Sequence, residues 1–480
     1  MPKQQTKVVW FRSDLRAQDN TALLQACASK SALVRAIYFV TPKQWDAHDL
    51  GVPKRAFIHR CLKALYEELS KLRIPLEIHT LPCFSDIPNF LRDWCKKNEC
   101  TEIYANYEYE LNERKRDGSV REQLEKDEIK FFLYHDQLCL PPNHELLKTG
   151  AGNPYTVFTP FKKKWVSIVN DIGIPKVQGV PKKRSFDGEL PNFLEEQFCE
   201  GVVETDPFAK YWPGGEREAR KRLNQFVKKG IQDYQVGRDF PALQNGTSVL
   251  SPYLSVGAIS PRECLNAAIA ANLPHCNLTI EKNGAMTWVS ELIWREFYRY
   301  VLLYHERLCK YEAFKPSVDA VSWRYDEDDF KRWSEGRTGY PLVDAAMRQL
   351  NQTGWMHNRL RMVVAMFLTK HLLIDWRWGE KYFMKMLVDA DLASNNGGWQ
   401  WSASTGTDAQ PYFRIFNPYS QSQKFDPEGE FIKRFLPELK GLNKKDIHMP
   451  SEDQCADLGY PLPVIEHKMG RERALAAFKA

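Results

Sequence analysis

Lys7-Val8-Val9-Trp10-Phe11 runs directly into Arg12-Ser13-Asp14-Leu15-Arg16. The first five residues are mostly β-branched or aromatic, the composition of a buried strand. The turn after a first strand separates the classes of doubly wound fold, and here it is charged and free of glycine. A G-x-G-x-x-G turn would set a dinucleotide pyrophosphate on the next helix, so its absence argues against a standard nicotinamide site. Four more strand-like runs follow at Leu33–Val40, Leu76–Thr80, Glu102–Asn106 and Lys130–Tyr134. Amphipathic stretches separate them, such as Ser85–Lys97 and Lys54–Lys71, whose apolar positions are Ala56, Phe57, Cys61, Leu62, Leu65 and Leu69. This alternation predicts a parallel, doubly wound, Rossmann-like sheet with helices on both faces over residues 1–135.

Outward from that unit the pattern changes twice. Residues 136–205 are rich in Pro, Gly and Lys and show little periodicity, with Pro141-Pro142, Gly150-Ala151-Gly152-Asn153-Pro154 and Val180-Pro181-Lys182-Lys183 marking a long connector. Beyond Pro207 helical periodicity dominates, as in Glu216–Lys229, Met286–Tyr304, Leu342–Leu350 and Leu360–Leu373. An all-helical second domain over 206–480 is expected, and 480 residues exceed what one core holds.

With 43% apolar and 27% charged residues the chain reads as globular rather than disordered. A net charge of +6 permits a polyanionic partner without demanding one. There is no apolar run of about 18 residues, which excludes a helical membrane span. Met1–Lys7 lacks the apolar core of a signal peptide, so a cytoplasmic location is expected. Eleven scattered cysteines without a C-x-x-C pair fit reduced thiols and argue against a disulfide framework or a zinc site. Nine of the fourteen tryptophans lie between Trp288 and Trp401. An aromatic-rich helical core explains such a cluster, and so does a surface for stacking on bases or a planar cofactor.

Four segments concentrate chemistry. On a helix, Glu291, Trp294, Arg295 and Tyr298 share one face, readable as a salt-bridged surface or as the wall of a cleft. In Gly354-Trp355-Met356-His357-Asn358-Arg359-Leu360-Arg361-Met362, Asn358, Arg361 and Met362 share a face, while a helix start capped by Asn358 is the plainer reading. Arg359 and Arg361 point nearly opposite ways, so at least one needs an anion or solvent. Asp389–Ser402 packs two acids, two amides, two glycines and two indoles into a stretch too polar and bulky for a simple turn. Its acids suit a metal or the hydroxyls and amines of a nucleotide. Gly246-Thr247-Ser248-Val249-Leu250-Ser251-Pro252 resembles a helix start, with Ser251 as N-cap, Pro252 at N1 and free amides for a phosphate.

Together these segments resemble the photolyase/cryptochrome family over essentially the whole chain. The likeness runs from Trp10-Phe11-Arg12-Ser13-Asp14-Leu15-Arg16 to Pro418 and is most specific across Glu291–Tyr298, Thr338–Met362 and Asp389–Pro418. It is similar above all to bacterial class I photolyases for cyclobutane pyrimidine dimers. The resemblance implies an FAD in the helical domain and an antenna chromophore near the N-terminal domain. By the same likeness, Tyr234, Thr247, Ser248, Val249, Leu250, Ser251, Trp288, Arg295, Asp389, Asp391 and Asn395 contact FAD. Glu291, Trp294, Asn358, Met362 and Trp401 form the catalytic face, with Arg238, Arg359, Arg414 and Gln421 on flanking DNA. Trp399, Trp376 and Trp323 resemble the chain that reduces the flavin from the surface, so Trp323→Phe is expected to block photoreduction yet spare repair by pre-reduced enzyme. His48, Asn112, Glu113, Cys309 and Lys310 match a folate antenna set, which implies 5,10-methenyltetrahydrofolate, with a deazaflavin as the alternative.

Within the family, a (6-4) photolyase would carry histidines in place of Asn358 and Met362, and DASH-type cryptochromes usually carry Gln at Met362. Asn395 matches the residue photolyases place beside flavin N5, and the chain ends at Ala480 without the long tail of signalling cryptochromes. The implied activity is light-driven repair of UV-damaged DNA, with electron transfer from excited reduced FAD to the dimer, and a monomer is the default expectation. The rival readings are a cryptochrome-like blue-light photoreceptor and a plain electron-transfer flavoprotein.

Overall fold

Val8, Val9 and Trp10 are almost wholly buried although they are successive residues of one strand, which requires a sheet covered on both faces. In the computed structural model, which describes residues 5–29, 31–186, 188–193, 206–272, 277–279, 283–316 and 321–479, that strand is β1 (Thr6–Trp10). It pairs in parallel with β2 (Leu33–Val40) on one side and β4 (Cys100–Asn106) on the other. β3 (Leu76–Thr80) adds to β2 and β5 (Lys130–Tyr134) to β4, which gives the order β3-β2-β1-β4-β5. Val9 and Phe11 face helix Val52–Lys71 through Phe57, Cys61 and Leu62, while Val8 and Trp10 face helices Ile87–Lys97 and Leu111–Glu125 through Leu91, Trp94 and Val120. Three strands match the expected bounds. β1 starts and ends one residue earlier than read, and β4 begins two residues earlier.

The expected connector needs a correction. It holds a 15-residue helix, Phe158–Ile172, whose buried residues Phe158, Phe161, Trp165, Val166, Ile168 and Val169 recur at helical spacing. Lys162-Lys163-Lys164 masked that pattern. Residues 194–205, the end of the expected connector, lie outside the described residues. Beyond β5 the regular elements among the described residues are all helical, apart from one isolated bridge between Arg324 and Ile374. The expected helix Leu360–Leu373 is α-helical from Asn358 to Met366 and continues as a π-turn, Phe367–His371.

The loop Arg12–Arg16 is the hub that joins the two halves. The Asp14 carboxylate accepts bonds from the Arg12 amide at 2.6 Å and from Asn106 Nδ2 at 2.6 Å, which ties the ends of β1 and β4 together. Arg16 pairs with Asp136 and donates to Gly257 O at 3.0 Å. From helix Pro261–Ala271, Arg262 reaches Asp19 at 3.0 Å and Asp136 at 2.7 Å. Arg16, Asp19, Asp136 and Arg262 are all buried, and each ion has an opposite partner, as burial of charge requires. Gly257 has φ +65°, and a Cβ there would run into the Ser13 and Asp14 backbone, so only glycine allows this approach.

Candidate functional site

Helix Gly284–Tyr304 is buried nearly all round, which makes its exceptions informative. Glu291, Trp294, Arg295 and Tyr298 form an accessible stripe one side-chain wide. Of the two readings of this face, the ion pair is present, Glu291 being held by Arg238 at 2.5 Å, and all four side chains are only partly buried. Two neighbouring helices carry similar stripes: Asn358, Arg361 and Met362 on Asn358–Met366, and Ser394, Asn395, Gly398 and Trp401 on Leu392–Ala403. Both stripe-bearing neighbours pack on each other, and Leu392–Ala403 also packs on Gly284–Tyr304. That packing is close because of Gly397, where a Cβ would overlap the Tyr298 ring.

Ion pairs belt the stripes together. At one end Arg238 holds Glu291 at 2.5 Å, and the next residue, Asp239, accepts from Arg359 at 2.5 Å. At the other, Arg361 holds Asp389 at 2.8 Å and Arg299 holds Asp391. Both arginines of the His357–Met362 segment thus have carboxylate partners. Burial alone would raise the Asp391 carboxyl, but Arg299 and Arg295 outweigh it and bring it down to about 2. Burial, with Arg299 beside it, lowers Arg295 to about 10, and its guanidinium is spent on Gln137 O at 2.6 Å and Leu254 O at 3.3 Å.

Two helix-start readings are corrected. His357, not Asn358, is the cap, its Nδ1 accepting from the Arg359 amide at 3.2 Å, and Asn358 is the first helical residue with an exposed side chain. Ser251 is not a cap either. It is the first residue of the five-residue helix Ser251–Ser255, and its Oγ accepts from Trp355 Nε1 at 3.2 Å. The preceding loop carries Val249 at φ +51°, a strained position for a β-branched residue, of the kind concentrated at ligand sites. Tyr234 and Trp288 are buried around Phe226, with ring centres 5.6 and 5.1 Å from it.

Trp294 departs from expectation in its surroundings. Phe158, from the unexpected helix, lies flat on it with centres 3.5 Å apart and planes within 7°. One face of the indole is therefore covered, and Phe158 is a functional candidate that sequence reading missed. Trp401 is partly accessible, Arg414 is exposed, and Gln421 is partly buried with its Oε1 unpartnered. Trp323, Trp376 and Trp399 belong to one apolar cluster, with Trp399 lying over Gly379.

A cavity of about 410 Å³ opens beyond the C-terminal ends of β1 and β4, where the strand order reverses and open α/β sheets bind ligands. His48, Asn112, Glu113, Cys309 and Lys310 all line it. Asn112 Nδ2 and Gln44 Nε2 both sit 2.9 Å from His48 Nε2. Burial, with Glu110 and Glu108 nearby, pushes the Glu113 carboxyl well above its usual range. At its inner end the cavity reaches Asp391, Arg299, Ser255 and Lys54. Lys54 Nζ donates to Ser255 Oγ at 2.5 Å, and no local sequence signal marks that residue.

The donor set fits a dinucleotide cofactor. Asp389 Oδ1 is buried and unpartnered, an acceptor suited to an amine or hydroxyl. Asn395 Nδ2 is held by Glu380 O at 2.9 Å, which turns its carbonyl the other way, and a Cβ at Gly398 would meet open space.

A switch-point cavity in a parallel sheet, backed by a helical body with ion-belted, partly accessible stripes, fits the photolyase/cryptochrome class. The comparisons narrow this. A family described as "DNA photolyase" matches residues 7–182, and one described as "FAD binding domain of DNA photolyase" matches 288–480. The chain belongs to the DNA photolyase family. It is 44% identical to the "Deoxyribodipyrimidine photo-lyase" of Escherichia coli over 99% of this chain and 98% of that one, and 43% identical to that of Vibrio cholerae over 98% and 99%. Among solved structures, a class III photolyase from Agrobacterium tumefaciens superposes with TM-score 0.88 at 37% identity, covering 100% of this chain and 98% of that one. A cryptochrome from Synechocystis superposes with TM-score 0.84 at 29% identity, covering 99% and 100%.

Proposed function

We propose that this chain is a deoxyribodipyrimidine photo-lyase that uses light to split cyclobutane pyrimidine dimers in DNA. The observation that carries the reading is the set of three partly accessible stripes on largely buried helices, belted by ion pairs and holding Glu291, Trp294, Asn358, Met362 and Trp401. Residues 1–135 would form the antenna part, 136–205 the connection and 206–480 the catalytic body.

FAD held in the helical body would supply the light-driven electron-transfer chemistry of ring opening. The chain's own residues bind and position. Asp389 Oδ1 and the Asn395 carbonyl would take N–H or O–H groups of the cofactor, while Asp391 stays ionised to hold Arg299. A dimer inside a duplex cannot reach a buried cleft, so it has to be extruded, the general solution of photolyases and other base-modifying enzymes. Trp294 would stack one pyrimidine on the face that Phe158 leaves open, and Trp401 the other, at about 1–3 kcal/mol per base. Glu291, oriented by Arg238, and the exposed Asn358 amide would take the pyrimidine N–H and carbonyl edges. Arg238 and Arg359, oriented by Glu291 and Asp239, and the exposed Arg414 would face the phosphates, with Gln421 alongside.

The second chromophore is read as 5,10-methenyltetrahydrofolate in the switch-point cavity. The Asn112 amide, His48 and the protonated-leaning Glu113 suit the donor and acceptor edge of a pterin. A deazaflavin is the alternative, and a related Sulfolobus tokodaii photolyase structure is described with two FAD molecules. An absorption spectrum of the purified protein separates these. No described helix is long and apolar enough to cross a membrane, and we read the protein as a cytoplasmic monomer.

The test is an illuminated repair assay on a thymine-dimer oligonucleotide, with dark and undamaged controls. Restoration of intact thymines only in the light supports the reading. Flavin binding without repair by the reduced protein would overturn it in favour of a photoreceptor.

A further inference from the structure

Trp399 is buried, and its aromatic neighbours are Phe383, with ring centres 5.0 Å apart, and Trp333 at 6.0 Å. From Trp333 the contacts continue outward. Phe330 lies 5.5 Å from Trp333, Trp378 lies 5.2 Å from Phe330, and Tyr325 lies 5.9 Å from Trp378. The path starts at a fully buried indole and ends on a phenol that is 65% exposed. Trp376, by contrast, carries the Arg377 guanidinium 4.8 Å above its ring. A fixed cation is attracted to a neutral indole face but repels a positive charge placed on that ring, so it opposes oxidation of Trp376. Trp333 has the opposite setting, because its Nε1 donates to Val364 O at 3.1 Å and the carbonyl dipole favours a positive ring. At the surface end Tyr325 Oη donates to Asp375 Oδ2 at 3.4 Å, which gives the phenolic proton a carboxylate to go to.

We propose that Trp333, Trp378 and Tyr325 form a second route by which electrons reach the flavin from the surface, beside the route through Trp376 and Trp323. The inference rests on the reading that Trp399 is the immediate donor when oxidised flavin is excited. Loss of one electron from Trp399 leaves a radical cation, which Trp333 refills. Trp378 then refills Trp333 across Phe330, which serves as a bridge and is not itself oxidised. Tyr325 gives an electron to Trp378 and its phenolic proton to Asp375, leaving a neutral tyrosyl radical. A thiol reductant in solution restores Tyr325 by donating a hydrogen atom, so one electron has passed from thiol to flavin for each photon used.

The experiment is photoreduction of the oxidised holoprotein with a thiol present, followed by absorbance, and electron paramagnetic resonance of illuminated protein without thiol. The family resemblance by itself implies that Trp323→Phe blocks photoreduction; with the second route Trp323→Phe instead keeps part of it, and Trp323→Phe combined with Trp378→Phe loses it. A tyrosyl signal is expected in the wild type and absent from Tyr325→Phe, a change at an exposed ring that leaves the core untouched. Complete loss in Trp323→Phe alone, or a tyrosyl signal that survives Tyr325→Phe, overturns the second route. Photoreduction that survives Trp399→Phe instead overturns the underlying reading of Trp399.

Discussion

Truncating Trp294 tests the lesion site with a magnitude set by its packing. One face of the indole lies on Phe158 at 3.5 Å, and its edges meet Tyr298 at 5.4 Å and Phe297 at 5.7 Å. Only one face is left for a base, so Trp294→Ala removes a single stack, about 1–3 kcal/mol. That converts to roughly a 5- to 150-fold rise in Kd for dimer-containing DNA. Undamaged DNA, held by phosphate contacts, changes little, and flavin content stays constant because the Asp389–Asp391 end is untouched. Trp294→Phe keeps a ring on Phe158 and recovers most of the affinity. Phe158→Ala removes one aromatic pair, about 0.5–1.5 kcal/mol, and produces a smaller loss. The assay is fluorescence anisotropy in the dark on matched damaged and undamaged oligonucleotides, with a thermal melt for each variant. Equal affinity of Trp294→Ala for the dimer, or an equal loss on undamaged DNA, would refute the stacking role.

Gly397→Ala drives a methyl into the Tyr298 ring, and overpacking of this kind costs about 1–3 kcal/mol, read as a lower melting temperature with weaker flavin retention. Asp391→Asn leaves Arg299 unpaired and costs about 3–5 kcal/mol at neutral pH. Asp391 is depressed from 3.8 to about 2, so its stabilisation is complete above about pH 4 and is lost as pH falls through 2. The stability gap between wild type and Asp391→Asn therefore narrows by on the order of 2 kcal/mol across that window, which denaturant titration at several pH values checks. Arg414→Ala weakens binding to damaged and undamaged DNA alike and flattens the salt dependence by about 0.9 in log–log slope, measured from 50 to 200 mM salt.

The strands were legible because each is a short β-rich run bounded by polar turns, and the helix faces because accessible and buried positions alternate at helical spacing. The Glu291–Tyr298 face was legible because the four positions named from spacing are partly accessible while Leu292, Ile293, Glu296 and Phe297 between them are buried. Helix Phe158–Ile172 was missed because three successive lysines dilute its apolar stripe, although Phe158, Phe161, Trp165 and Ile168 carry the period. The caps misled for a different reason. Asn358 and Ser251 are good capping types, but His357 supplies the cap in one case and Trp355 engages the hydroxyl in the other. Contacts such as Arg262 with Asp19, 243 residues apart, leave no local trace in sequence at all. Nor does the covering of Trp294 by Phe158, since each residue is unremarkable in its own segment.

The buried set of Arg16, Asp19, Asp136 and Arg262 has a consequence for light harvesting. Excitation passing between two chromophores depends steeply on their separation and on the angle between their transition dipoles. Four solvent-free charges bolting the sheet to the helical body remove hinge freedom between the two halves. A pigment seated over β1 and β4, if the proposed antenna reading holds, would face the FAD-binding helical body at a preset angle, with no reorientation needed before each photon is used.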